Sequence, residues 1–159
     1  MKKPKVYKCR YSHCRHETKD IPADEAIKVG QAYYHEDCKK EMDLIKEIIR
    51  IFYENVNKTV VISRLRKVIN SIIFEKDVSA EYLLFGLKYY IKKKSINYPE
   101  GLYYVISDED VKKAWAKIIR KRIMESVTDE FTVKDEDMNT SHSFNINSKQ
   151  KSFSDILGG

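Results

Sequence analysis

The spacing of cysteine and histidine near the N-terminus limits what the first forty residues can fold into. Residues 1–40 contain all three cysteines of the 159-residue chain and three of its four histidines, but few large apolar side chains. A segment of this kind cannot bury a sufficient hydrophobic core, so it needs an additional stabilising element such as a bound metal ion. Two close pairs, C-x4-C and H-x2-C, have the spacing with which proteins build tetrahedral zinc sites. We therefore predict one zinc ion bound by Cys9, Cys14, His35 and Cys38.

Two neighbouring histidines leave the ligand set open. His13 and His16 flank Cys14, and either could replace Cys9 or His35, with His16 as the first reserve. The competing interpretation is three unrelated buried thiols and surface histidines, but paired spacing in a chain with so few of these residues favours zinc. Four protein ligands make a closed structural site without a position for a catalytic water. Its expected role is to fold residues 1–40 and fix them on the rest of the chain.

The hydrophobic pattern beyond residue 41 is helical. From Met42 onward, apolar residues recur at intervals of three and four, as one buried helical face requires. Ser79 is the expected N-cap of the third helix, and Ser107 or Asp108 that of the fourth. The predicted helices cover residues 42–54, 59–75, 79–94 and 109–125.

Two short β-rich runs complete the predicted architecture. Gly30 and the Tyr33-Tyr34 pair suggest a hairpin between the two pairs of metal ligands. A second hairpin is predicted near 96–106, where a Pro-Glu-Gly turn signal separates two β-rich runs. The predicted fold class is α+β, mainly α, with a zinc knuckle at 1–40 packed on a four-helix body at 41–125.

The last segment, residues 126–159, is predicted to be a disordered tail. Helical periodicity stops after Ser126 and the composition becomes polar. Apolar character returns at Phe153, Ile156 and Leu157, whose spacing puts them on one side of a single helical turn. These three residues are a candidate docking motif for a partner, and the competing interpretation is a frayed terminus.

Charge is uneven along the chain. The formal net charge is +6, with −3 in residues 126–159 and +9 in the first 125 residues. A basic body can bind polyanions, and an acidic tail can compete for the same surface. The candidate nucleic-acid contacts are six cations of the last predicted helix: Lys112, Lys113, Lys117, Arg120, Lys121 and Arg122. The competing interpretation is an ordinary solvated helix face.

A winged helix is the other route to DNA contact. Helices 59–75 and 79–94 with the hairpin near 96–106 have the required order, and helix 79–94 would enter the major groove. That helix is largely apolar, however, and a core helix explains its pattern better.

The sequence lacks the signatures of several classes of protein. The chain lacks the glycine-rich loops that cradle phosphates and the common signatures of hydrolases, metalloproteases and deaminases. It has no apolar run of about 18 residues that could span a membrane, and its start lacks the apolar stretch of a signal peptide. We therefore expect a non-enzymatic cytoplasmic protein with reduced cysteines.

Two segments resemble known families. The run KVGQAYYHEDC, with C-x4-C some twenty residues earlier, resembles a treble-clef or LIM-like zinc half-site. Residues 79–115 are similar to small uncharacterised bacteriophage proteins of Gram-positive hosts that carry an N-terminal Cys/His knuckle. The likeness rests on Tyr82, Gly86, Leu87, Lys88, Tyr89 and Gly101. It implies an accessory protein of a phage or mobile element, acting in the host cell cytoplasm.

The expected function is accordingly that of a binding protein whose N-terminal segment is stabilised by zinc. It would act through protein contacts on a host or phage complex, of which nucleic-acid-processing or transcription machinery is the favoured kind. The alternative is a direct DNA-binding regulator that uses the basic helix or a winged helix.

Overall fold

The computed structural model describes residues 5–93 and 95–134 and is a mainly helical α+β fold, as predicted. The chain divides into two compact units, Met1–Ile119 and Arg120–Gly159. A π-helical segment, the π turn (Ser71–Glu75), directly follows α2. The strands are β1 (Val6–Lys8), β2 (Asp20–Pro22), β3 (Ile27–Val29) and β4 (Ala32–Tyr34), and the helices are α1 (Glu36–Asn55), α2 (Ile62–Asn70), α3 (Ala80–Lys93), α4 (Gly101–Ser107) and α5 (Glu109–Lys134).

Two antiparallel hairpins form the N-terminal part of the first unit. β1 pairs with β2, and β3 pairs with β4 as the sequence predicts. Gly30 opens the two-residue turn of the second hairpin at a φ of 60°, where a side chain would be strained. A bridge between Cys9 and Tyr33 joins the two hairpins. The chain leaving β1 is thereby held beside β4, which leads into α1.

Helix α1 begins at Glu36 rather than at residue 42. Two acidic side chains, Glu36 and Asp37, occupy its first turn, where they suit the positive end of the helix dipole. Cys38 lies in this first turn, whereas Ile48 and Phe52 of the same helix are fully buried in the helical core. The predicted domain boundary at residues 40–41 thus falls inside a continuous helix, and the predicted three-part division stays a prediction.

The main hydrophobic core lies among the helices of the first unit. α1 packs against α2 and α3, and α3 packs against α4. Helix α3 contributes Leu83, Leu87 and Tyr90 to this core, so it is the core helix that its apolar pattern indicates. Ser79 caps it by accepting a hydrogen bond from the Tyr82 N–H at 3.2 Å. The fully buried large side chains of this core are Ile48, Phe52, Leu65, Ile69, Ile72, Ile73, Leu83, Leu87, Leu102, Val105 and Val111.

The hairpin predicted near 96–106 is wrong, because residues 101–107 form helix α4. Leu102 and Val105, one helical turn apart, are fully buried, whereas Tyr104 between them is exposed. A Cβ built on Gly86 of α3 would lie 2.6 Å from Val105 Cγ1, so the two helices approach closely at this glycine. Burial against α3 therefore outweighs the β-propensity of these residues. The winged-helix interpretation therefore lacks the hairpin that it requires as its wing.

The predicted helix 59–75 is divided and shorter. The Asn57 side chain accepts hydrogen bonds from the backbone and hydroxyl of Thr59, so a turn precedes α2. At its other end α2 passes into the π turn, where Ile72 and Ile73 are both fully buried. Because the hydrogen bonds of a π-helix join residues five apart rather than four, its side chains are spaced differently around the helix from those of an α-helix.

Helix α5 is longer than predicted. Asp108 caps it by accepting hydrogen bonds from the N–H groups of Asp110 and Val111. The helix continues to Lys134, nine residues past the predicted end at residue 125, through a segment that contains no proline or glycine. The remaining tail, residues 135–159 with Phe153, Ile156 and Leu157, lies outside the described residues. Within the described ranges, no helix is long and apolar enough to cross a membrane.

Candidate metal centre

The two hairpins and the start of α1 bring the four predicted ligands together. Cys9 follows β1, and its N–H donates to the Lys19 carbonyl at 2.7 Å. Cys14 lies in the loop after it, where its N–H donates to the Tyr11 carbonyl at 3.3 Å and closes a tight turn. His35 precedes α1 and Cys38 lies in its first turn. We call residues 5–38, which contain these elements, the metal module.

The distances among the ligand atoms match a tetrahedral centre. The three Sγ atoms and one imidazole nitrogen all lie within 4.8 Å of one another. His35 Nδ1 is 3.5 Å from Cys14 Sγ and 3.8 Å from Cys38 Sγ. Zinc–sulfur and zinc–nitrogen bonds of ordinary length in a tetrahedron separate nitrogen from sulfur by about 3.6 Å. The four side chains therefore lie close enough together to hold one metal ion.

Burial and hydrogen bonding act differently on the cysteine thiols. Cys9 and Cys38 are each 4% exposed. Burial raises the pKa of Cys38 well above its usual range, and Cys14 and Cys9 raise it further. Burial also tends to raise the pKa of Cys9, but hydrogen bonds from the backbone of His35 and Tyr11 and from the Cys38 and Cys14 thiols together outweigh it, so this pKa is lowered. The backbone around Cys9 thus favours a thiolate, the form that binds metal.

His16 lies beside the centre as an alternative ligand. Its ring stacks on the His35 ring with 3.8 Å between centroids, and its Nε2 atom lies 2.8 Å from the Asp37 carboxylate. His16, His35, Asp37 and Cys38 form a second group whose ligand atoms lie within 4.8 Å of one another. Burial tends to raise the pKa of Asp37, but the hydrogen bonds from His16 and the Cys38 N–H outweigh it and lower this pKa.

The first group is the better site for a soft or borderline metal. It offers three thiols and one imidazole, and two of its members are buried. The second group uses the exposed side chains of His16 and Asp37, which already pair with each other. His13, the other alternative ligand, belongs to neither group.

The metal module is attached to the helical core through the loop that contains Cys14. The Tyr11 hydroxyl donates to Glu41 of α1 at 2.9 Å. Arg15 pairs with Asp77 at 2.9 Å, just beyond the π turn. His13 stacks flat on Phe74 of the π turn, with 3.8 Å between centroids and 7° between planes. The sequence did not indicate these contacts, because no local spacing relates residues 11–15 to residues 74–77.

The predicted nucleic-acid contacts are exposed residues of α5. In the first unit, Lys112 pairs with Glu109 at 2.7 Å. In the second unit, Lys121 pairs with Glu125 at 3.7 Å. Both are ion pairs between exposed side chains one helical turn apart, and the attraction within such pairs is weak. All six residues are exposed: Lys112, Lys113 and Lys117 in the first unit, and Arg120, Lys121 and Arg122 in the second.

No family model, no curated protein and no solved structure matches this chain. The resemblance to bacteriophage proteins therefore stays a prediction. The four gathered ligands and the exposed cations of α5 are the features of the chain from which a function can be inferred.

Proposed function

We propose that this chain is a non-enzymatic binding protein whose N-terminal module is held together by one structural zinc ion. The observation that supports this most strongly is the spacing of the four side chains, since His35 Nδ1 lies 3.5 Å and 3.8 Å from two cysteine sulfurs. Three thiolates and an imidazole are a common donor set for structural zinc, and a complete set of protein ligands leaves no position for a reacting water.

The need for a metal follows from how little else stabilises the module. Its buried core consists of Cys9, Tyr11, Ile21 and Cys38. Two of these are proposed ligands, and Ile21 is the one fully buried aliphatic side chain among the four. Burying a side chain of that size contributes about 2–3 kcal/mol. Structural zinc binds zinc-finger peptides with about 10–16 kcal/mol and so contributes far more to folding.

The arrangement of the elements supports a treble-clef-like module. A cysteine pair on a tight turn is followed by a hairpin, and the second ligand pair begins a helix. In such a module the metal joins the turn to the helix. The surface offered to a partner would then depend on the metal, because the turn and the helix are separate in sequence.

The partner that we propose is a protein complex of the host or the phage, in the cytoplasm, of the kind that processes or transcribes nucleic acid. The resemblance of residues 79–115 to bacteriophage proteins supports this proposal. Affinity capture from a lysate of a Gram-positive host, with and without nuclease, tests it. A partner retained after nuclease treatment supports protein contacts, whereas loss of every partner contradicts them.

The zinc proposal is tested by elemental analysis of protein purified without chelator. One equivalent of zinc is expected in the unchanged chain, and Cys38→Ser and His35→Ala should each lower it below about half an equivalent. His16→Ala is the matched control, because it removes the ring stacked on His35 but leaves the four proposed ligands. Zinc loss in His16→Ala with retention in His35→Ala would show that His16 is the ligand.

Direct DNA binding by α5 is the second candidate. The exposure of its six cations favours it, because phosphate contacts need accessible lysine and arginine side chains. Charge reversal at Lys117, Arg120 and Lys121 should weaken binding to all DNA sequences alike, since phosphates carry no sequence information. Unchanged DNA affinity in this variant would leave protein contacts as the function.

A further inference from the structure

The strongest unassigned surface lies where the metal module meets the helices of the first unit. Two cavities, of about 220 Å³ and about 450 Å³, share His13, Asn70 and Phe74 as lining residues. We call this surface the junction groove. Its first cavity has an apolar floor that includes Ile45 and Ile49 of α1.

The rim of the junction groove is basic. Lys46, Arg66 and Lys67 line it and are exposed. Among the residues that the structure describes, none of these three has an acidic partner. The acidic residue of the lining, Glu75, accepts a hydrogen bond from the Ser71 hydroxyl at 2.5 Å. The groove therefore has positive charge available for an anionic ligand.

Two aromatic rings, those of His13 and Phe74, line both cavities. The His13 ring lies flat on Phe74, with 3.8 Å between centroids. His13 is exposed, and its other ring contact is an edge-on one with Tyr11, with 5.8 Å between centroids. Flat rings beside cations suit a ligand that alternates planar apolar groups with negative charges. Single-stranded nucleic acid has this chemistry, because bases stack on aromatic rings and phosphates bind lysine and arginine.

We propose that the junction groove binds single-stranded nucleic acid, with one base stacked on His13 and the adjoining phosphates at Arg66, Lys67 and Lys46. An acidic peptide would satisfy the three cations but would leave the flat His13–Phe74 stack without a matching group. The inference rests on the proposed function in one respect, since His13 is positioned by the metal-held turn that also contains Cys14.

The test uses the full chain loaded with zinc and fluorescently labelled twelve-nucleotide oligomers of deoxythymidine and uridine. Anisotropy titrations from about 50 to 200 mM salt give the affinity and its salt dependence. His13→Ala should weaken binding about tenfold, as loss of one stacked base predicts. His13→Phe keeps a flat ring and should retain most of the affinity.

The cations are tested away from the metal ligands. Replacing Arg66 and Lys67 with alanine should reduce the slope of log affinity against log salt by about 1.4, since each single-strand phosphate contact contributes about 0.7. The matched control replaces Lys28 and Lys58, two exposed lysines outside the groove lining, and removes the same net charge. An equal effect of the two double variants would overturn the proposal, because binding would then follow net charge alone.

Further outcomes separate this inference from the zinc proposal. Zinc content is measured for every variant. If His13→Ala loses zinc, the groove proposal is judged from the double variant at Arg66 and Lys67 instead. A zinc-loaded chain that does not bind the oligomers at about 50 mM salt overturns the groove proposal and leaves the metal site intact. Binding of a twelve-residue glutamate-rich peptide in place of the oligomers would likewise overturn it and assign the groove to a protein.

Discussion

Removing the proposed zinc ion is expected to unfold the metal module while the helical core stays folded. The two parts differ in what holds them together. The helical core contains fifteen buried side chains, whereas the module's cluster contains four, and two of those are proposed cysteine ligands. Losing about 10–16 kcal/mol of zinc binding is comparable with the whole stability of a typical domain, about 5–15 kcal/mol. The module has no apolar core large enough to offset that loss.

Hydrogen exchange measured by mass spectrometry, with and without a zinc chelator, resolves the two parts. The amides of Cys9, Arg10 and Ala23 donate to carbonyls within the module and should lose protection. The Leu83 amide donates to the Ser79 carbonyl at the start of α3 and should keep its protection. Protection retained throughout residues 5–35 in protein shown to be free of metal would refute the reasoning.

Three other perturbations have defined outcomes. Gly86→Ala should lower the free energy of unfolding by about 1–2 kcal/mol in thermal melts, because the overlap with Val105 outweighs the gain in helix propensity; an unchanged melting temperature contradicts the close approach of α3 and α4. Zinc affinity should fall as pH falls, since protons compete for the ligand thiols and the pKa of Cys38 is raised without metal; a pH-independent affinity in chelator competition contradicts thiolate ligation. Deleting residues 153–159 should leave zinc content unchanged but reduce partner capture, and equal capture would show that this segment is only a tail.

The ligand set shows how far local spacing can be trusted. The four residues with paired spacing are those that the structure brings together, because each pair is positioned by its own turn or helix start. Sequence left His16 open as a replacement, and it does lie beside His35. Distances and burial were needed to rank the two groups of possible ligands. Both quantities depend on how the hairpins pack against α1, which local spacing does not indicate.

Residues 101–107 show where local reasoning fails. Their β-branched and aromatic composition favours a strand, but they form a helix in which Leu102 and Val105, one turn apart, are both fully buried. The glycine that permits this approach, Gly86, lies far away in sequence. The gain from burying side chains against a distant element is a tertiary effect, and strand propensity is weak enough to be reversed by it.

By itself the sequence determined the mainly helical α+β class, the cap of α3, and which four candidate metal ligands gather, and it narrowed the cap of α5 to Ser107 or Asp108. These features depend on residues close together in the chain, or on chemistry that few residue types can supply. Tertiary structure alone decided the contact of Arg15 with Asp77 and that of His13 with Phe74 of the π turn, and with them the junction groove. Such contacts join segments about sixty residues apart, and no periodicity or spacing encodes which surfaces meet once the core has formed.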